Sequence, residues 1–136
     1  VECGDHYGRA LASYGVFQAI CGLTLDGPAG VIGIAPRLTP EKFAAFFAGP
    51  EGWGLASQSR EGARQSNRFD VRSGRLRVTT LTATLPSNAK ARSIEVRCAG
   101  KPQHAEFEQR GQEIRARLTE PATLAVGETI ELVTTA

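Results

Sequence analysis

The chain has 136 residues, a length that suits one globular domain with its own core. Its hydrophobic and charged fractions, 41% and 22%, are ordinary for globular proteins, and no apolar run approaches the roughly 18 residues of a membrane span. The net charge is +2, with thirteen basic and nine acidic residues from Arg60 onward. These basic residues alternate with acidic and apolar ones, a pattern that argues against nucleic-acid binding.

The cysteines Cys3, Cys21 and Cys98 are widely spaced, and no Cys-x-x-Cys pair occurs. An odd number at such spacing favours free, buried thiols over a zinc site or a disulfide framework. Free thiols favour a reducing compartment, which for this chain means a weak preference for the cytoplasm. We expect neither a cofactor nor a metal ion.

The first predicted element is a helix over residues 5–21. Its apolar residues recur at helical spacing, Asp5 is a suitable N-cap, and Gly22 is placed to end the helix. The other positions carry small, nearly uncharged residues such as Ala12 and Gly15. We therefore expect this helix to pack on several sides against neighbouring elements.

A turn is predicted next at residues 26–30, followed by a short buried strand at residues 31–35. Residues 40–48 are predicted to form a short helix, with Thr39 as the N-cap and Pro40 in the first turn. Gly49 and Pro50 would end it, and its three phenylalanines would form the buried face.

From Trp53 onward, apolar and polar residues alternate along the chain, a pattern that indicates strands. They are predicted at residues 53–59, 66–72, 76–85, 92–99, 103–109, 113–119 and 129–134. Short antiparallel strands with one apolar face favour two packed sheets. The predicted fold class is α+β and mainly β: an antiparallel, jelly-roll-like β-sandwich with an N-terminal helix and one short helix.

Five spaced motifs within the first 58 residues carry a family resemblance. They are ECGDHYxRAxASYG at residues 2–15, DGP at 26–28, GxAPRL at 33–38, EGWG at 51–54 and SQ at 57–58. Together they resemble the C-terminal end of the bile-acid β-glucosidases, also called non-lysosomal glucosylceramidases. The β-rich remainder of the chain would fit many glycosidases.

The resemblance implies a larger retaining β-glucosidase, in which a β-sandwich precedes a catalytic barrel of paired helices. Residues 1–22 would be a late barrel helix, and residues 23–136 a C-terminal accessory sandwich. The nucleophilic Glu and the acid/base Asp would lie upstream, so we expect this chain alone to be inactive. Its partners would be the rest of the parent chain and, in the whole enzyme, a glucoside held in part by Arg9.

Each singled-out residue also has a structural interpretation. Arg9 could pair with Asp5 on the same helix face, a contact worth about 0.3–0.5 kcal/mol. Glu2 fits an exposed terminal residue, and His6 lacks a second ligand at useful spacing. Trp53, the only tryptophan, is flanked by glycines that would let a sugar stack on it, but core packing is favoured.

Two other classes of function remain open at this point. The sandwich could be a carbohydrate-binding module, although exposed aromatic residues are few. It could also be a protein interaction domain that uses the apolar faces of its first helix.

Overall fold

The computed structural model describes the main chain from Gly4 to Ala136 and the side chains from Ala10 onward. One helix precedes eleven strands in this part of the chain. The elements are α1 (Gly4–Cys21), β1 (Thr24–Asp26), β2 (Val31–Ile34), β3 (Lys42–Ala48), β4 (Gly52–Glu61), β5 (Arg64–Gly74), β6 (Leu76–Thr84), β7 (Ser93–Cys98), β8 (Lys101–Gln103), β9 (Ala105–Arg110), β10 (Glu113–Leu124) and β11 (Thr129–Thr135).

The strands form two sheets, which confirms the predicted sandwich. Sheet A has the order β1-β2-β6-β10-β9, and sheet B has the order β3-β4-β5-β11-β7-β8. Within the described residues, β2 and β6 are the one parallel pair. Successive side chains of a strand point to opposite faces, so one face of each sheet lines the core and the other faces outward.

The core lies between the two sheets. Phe47 and Phe69 of sheet B meet edge to face, with ring centroids 6.1 Å apart. Leu81 and Ile114 of sheet A are fully buried. Each such side chain contributes about 1.5–3 kcal/mol when it is buried. The sandwich therefore has a core built from its own strands.

The predicted first helix is confirmed. It ends at Cys21, where Gly22 adopts φ 55° and donates its main-chain N–H to the Gln18 carbonyl oxygen at 2.9 Å. Glycine adopts this left-handed conformation without a Cβ penalty, so it is well suited to end a helix. Asp5, predicted as the N-cap, lies in the first turn of α1.

The predicted short helix at residues 40–48 is wrong, because Lys42–Ala48 form the edge strand β3 of sheet B. Thr39, the expected N-cap, instead has φ 45° and accepts a hydrogen bond from the Lys42 main-chain N–H at 3.0 Å. β3 pairs with β4 along its whole length, which places Phe43 and Phe47 toward the core and Phe46 on the outer face. Pairing with the next strand, β4, here overrides the local capping signals.

The strand predicted at residues 103–109 divides at His104. The chain leaves sheet B at the end of β8 and enters sheet A at the start of β9. The His104 carbonyl oxygen accepts a hydrogen bond from the Thr119 main-chain N–H at 3.0 Å, which fixes the crossing against β10. The two halves of the predicted strand thus belong to different sheets.

Candidate functional site

Arg9, expected to contact sugar in the whole enzyme, lies on α1 in the helix's second turn. Its side chain is outside the described residues, as are the side chains of Asp5 and His6 and all of Glu2. The backbone places Asp5 and Arg9 four residues apart, on one face of the helix. The sugar contact of Arg9 remains a prediction.

α1 is joined to the sandwich at its C-terminal end. The main-chain N–H of Ala35 donates to the Cys21 carbonyl oxygen at 3.2 Å, and that of Arg37 donates to the Ile20 carbonyl oxygen at 2.9 Å. Cys21 is buried there as a free thiol, and burial raises its pKa. The last turn of the helix is thereby held against the segment that follows β2.

An aromatic contact continues this attachment along α1. The Phe17 ring stacks on Phe46 of β3 with centroids 4.6 Å apart and planes 12° from parallel, and Tyr14 stacks on Phe17 at 6.1 Å. The more N-terminal surface of the described helix is open, and the Leu11 side chain is 72% exposed. Between Ala10 and Cys21 the helix carries no charged residue. α1 thus presents an uncharged, partly apolar surface to its surroundings.

Trp53 lies on the outer face of sheet B and is 53% exposed, so the favoured interpretation of core packing is wrong. Gly54 occupies the inward position opposite Phe47, so strand alternation turns the neighbouring Trp53 outward. Trp53 pairs with Ala48, which is exposed on the same outer face. Whether the exposed indole contacts a ligand stays a prediction.

A buried group of amide side chains lies on the inner face of sheet B. Gln65 donates through Nε2 to Asn67 Oδ1 at 2.9 Å, and Asn67 donates through Nδ2 to Gln58 Oε1 at 2.8 Å. Arg60 donates through Nε to Gln65 Oε1 at 2.7 Å and through Nη2 to the Thr84 carbonyl oxygen of sheet A at 3.0 Å. All three amides are buried, and their mutual hydrogen bonds offset the cost of that burial.

Sequence reasoning missed this amide group. Its signal was present, since Gln65 and Asn67 share the alternation of the buried residues Phe69 and Val71. Inward-facing amides on a strand are expected to bond to one another or to the facing sheet. Because every amide here has protein partners, the group is a structural link between the sheets.

Among the described residues, the ion pair between Arg75 and Glu51 alters the pKa of both partners, and the pair between Arg68 and Asp70 raises the pKa of Arg68. Arg75 donates through Nη2 to Glu51 Oε1 at 2.6 Å, and this contact lowers the pKa of Glu51 and raises that of Arg75.

Burial raises the pKa of the half-buried Cys98 thiol, and Glu128 adds to the effect. The pKa values of Cys21 and Cys98 are both raised, so neither of these two thiols is activated as a nucleophile.

Among the side chains that the structure describes, from Ala10 onward, no three His, Cys, Asp or Glu come together as potential metal ligands. In the same part of the chain, no helix has the length and apolar character needed to cross a membrane. The site features that remain are the surface of α1, the exposed Trp53 and the polar outer faces of the two sheets.

Comparison with known proteins does not assign the chain to a family. No protein-family model matches the sequence, and no curated protein matches it. Among solved structures, the chain is similar to part of the α-L-rhamnosidase from Dictyoglumus thermophilum, with 12% sequence identity and a TM-score of 0.46. The similarity covers 86% of this chain and 12% of the rhamnosidase chain, so this chain spans about an eighth of that protein. A similarity at this level establishes neither a shared family nor a shared activity.

Proposed function

We propose that the chain is the C-terminal structural part of a retaining β-glucosidase of the bile-acid β-glucosidase type and is inactive alone. Residues 1–22 form a helix of the catalytic barrel in this proposal, and residues 23–136 form an accessory sandwich beside it. The five motifs in the first 58 residues support the family, and the sandwich architecture is compatible with it. The partners are the upstream barrel and, in the whole enzyme, a β-glucoside.

The surface of α1 is the observation that carries this proposal. A helix at the surface of a soluble protein normally has a charged or polar face. From Ala10 to Cys21, α1 has no charge, and Leu11 and Val16 are exposed while the C-terminal end is anchored to the sandwich. Such a surface is typical of a helix that packs against other helices, as barrel helices do.

Arg9 has a chemical role in the proposal. A guanidinium presents several donors in a fixed plane, and its charge-assisted hydrogen bonds are about twice as strong as neutral ones. Its position on α1 would allow the helix to hold this group toward a bound pyranose. The sandwich then serves to fix α1 through the contact between Phe17 and Phe46.

A pair of matched substitutions tests the packing role of α1. In the isolated chain, both Leu11→Asp and Leu38→Asp are expected to be tolerated, because both leucines are exposed. In the complete enzyme, Leu11→Asp is expected to lower the melting temperature and the activity on an aryl β-glucoside, because it places a charge between helices. Leu38→Asp is the control and should change neither property.

The same experiments can contradict the proposal. If Leu11→Asp is as harmless as Leu38→Asp in the complete enzyme, α1 does not pack in a barrel. If the isolated chain itself hydrolyses the aryl β-glucoside, the chain is an enzyme and not an accessory part.

The exposure of Trp53 supports a second candidate, a carbohydrate-binding module. Trp53 and Phe46 are both exposed on the outer face of sheet B, where a sugar could stack on an aromatic ring. Titration with glucans, followed by tryptophan fluorescence, distinguishes the two functions. A saturable change in emission that Trp53→Ala abolishes would favour the module, and an unchanged emission would exclude Trp53 as its binding surface.

A further inference from the structure

A polar depression lies on the outer face of sheet A, on the opposite side of the sandwich from Trp53. Thr80 of β6, Arg115 and Arg117 of β10, and Glu106 and Glu108 of β9 line it. The outward direction of these side chains follows from the alternation of β10, where Ile114 and Ala116 are buried in the core.

Strand register arranges these residues in two parallel rows. In the first row, Arg117 lies directly between Thr80 and Glu106 on the neighbouring strands. In the second row, Arg115 lies directly between Thr82 and Glu108. Neighbouring strands are about 4.8 Å apart, and residues two apart on a strand are separated by about 6.8 Å. The two rows therefore span an area close to that of one pyranose ring with its hydroxyls.

The first row keeps its hydrogen-bonding capacity free. Within the described part of the chain, the Arg117 and Glu106 side chains make no hydrogen bond or ion pair, although the two residues are cross-strand neighbours. Thr80 is 8% exposed as a residue, and its hydroxyl, which has no hydrogen-bond partner among the described residues, is open to solvent. An accessible hydroxyl without a protein partner can donate to a ligand or accept from it.

The second row is already paired along its own strands. Glu108 accepts a hydrogen bond from Arg110 Nη2 at 3.1 Å, and Arg115 lies 3.5 Å from Glu113. These contacts hold the Glu108 and Arg115 side chains at the side of the depression. The free groups of the first row are thus bordered by groups whose positions are restrained.

The charge of the depression selects the kind of ligand. Two arginines and two glutamates line it, so their formal charges cancel. An anion would be repelled by the glutamates and a cation by the arginines. A neutral ligand rich in hydroxyls can accept from Arg117, donate to Glu106, and do either with Thr80. We propose that this depression is a binding site for a neutral glycan, with one pyranose unit placed over Thr80, Arg117 and Glu106.

This inference depends neither on α1 nor on the proposed parent enzyme, so either can fail without the other. It is tested on the full chain by backbone-amide NMR, with cellotriose and xylotriose as neutral probes and with inorganic phosphate and calcium chloride as ionic probes. The expected result is a saturable shift for at least one oligosaccharide, centred on the amides of β6, β9 and β10. Tryptophan emission should not change, because Trp53 lies on the other sheet.

Three variants sharpen the test. Arg117→Met is expected to weaken oligosaccharide binding by at least about tenfold, through loss of a charge-assisted hydrogen bond. Thr80→Val, which keeps the side-chain shape, is expected to weaken binding by about threefold or more. Arg72→Met is the matched control, because Arg72 is exposed on sheet B, and it should bind as the unchanged chain does.

Several results would overturn the proposal. They are the absence of a saturable shift with both oligosaccharides, a shift centred on Trp53, and unchanged binding in both Arg117→Met and Thr80→Val. A response on β9 and β10 to phosphate or calcium, with none to the sugars, would also overturn it and would identify an ion site instead.

Discussion

Phe17 of α1 stacks on Phe46 of β3, with ring centroids 4.6 Å apart and planes only 12° from parallel. This contact joins the helix to the edge strand of sheet B. Because residues 42–48 form a strand, side-chain alternation turns Phe46 outward, where it meets α1. The position of α1 on the sandwich therefore depends on one aromatic pair together with the hydrogen bonds near Cys21.

A double-mutant cycle on Phe17→Ala and Phe46→Ala should reveal this coupling. Aromatic pairs contribute about 0.5–1.5 kcal/mol beyond the area they bury, and we expect a coupling energy in that range. The measurement is the free energy of unfolding in urea for both single variants and the double variant. Leu11→Ala, at an exposed position of the same helix, should change stability by less than about 0.5 kcal/mol. Additive effects of the two phenylalanines would show that α1 is not held by this pair.

The amide group inside the sandwich should be sensitive to loss of its central member. Gln65→Leu would leave Arg60 Nε and Asn67 Oδ1 without these partners in a buried environment. We expect a loss of about 2–4 kcal/mol in the free energy of unfolding. Gln112→Leu removes an exposed hydrogen bond to Ser87 and should cost less than about 1 kcal/mol. Equal effects of the two substitutions would contradict a linking role for Gln65.

Two glycines should respond oppositely to alanine. A Cβ at Gly54 would overlap the Asp70 main-chain oxygen and lie 3.0 Å from Phe47 Cε1, so Gly54→Ala should cost more than about 2 kcal/mol. At Gly15 of α1 no atom lies within 4 Å of a new Cβ, and Gly15→Ala should be neutral or stabilise by up to about 1 kcal/mol. Urea denaturation measures both effects. A tolerated Gly54→Ala would mean that β4 and β5 do not approach as closely as described.

The ion pair between Glu51 and Arg75 gives a pH dependence with a defined sign. Because Arg75 lowers the pKa of Glu51, the folded chain binds a proton at this carboxylate less readily than the unfolded chain does. The pair therefore adds to stability above the ordinary pKa of glutamate, about 4.3, and the contribution is lost as the pH falls through the lowered pKa. Glu51→Gln should be less stable than the unchanged chain at neutral pH, and the difference should vanish in strong acid. A difference that persists in acid would show that the pair does not cause it.

Elements that depend on local patterns were predictable from the sequence. α1 was predicted because its apolar residues recur at helical spacing and Gly22 ends it. Most of the strands from β4 onward were predicted because their residues alternate in polarity and are bounded by turn residues. Such signals lie within a few residues of one another, so they need no knowledge of the rest of the fold.

Features that depend on how strands pair were not predictable in the same way. Phe43 and Phe47 are four residues apart and fit one face of a helix as well as one face of a strand, and only pairing with β4 decides between them. The exposure of Trp53 depends on which sheet face it occupies, and the pairing of Gly54 with the inward Phe47 sets that face. The rows of sheet A likewise join residues from β6, β9 and β10 that are far apart in sequence.

The most direct test of the proposed role is the kinetics of Arg9→Lys in the complete enzyme, with Arg64→Lys as the control at the exposed start of β5. Lysine keeps the charge but loses the planar donors of the guanidinium. We expect Arg9→Lys to lower kcat/KM for an aryl β-glucoside by about tenfold or more, and Arg64→Lys to leave it unchanged. Equal kcat/KM values for Arg9→Lys, for Arg64→Lys at the first residue of β5 and for the unchanged enzyme would contradict the account.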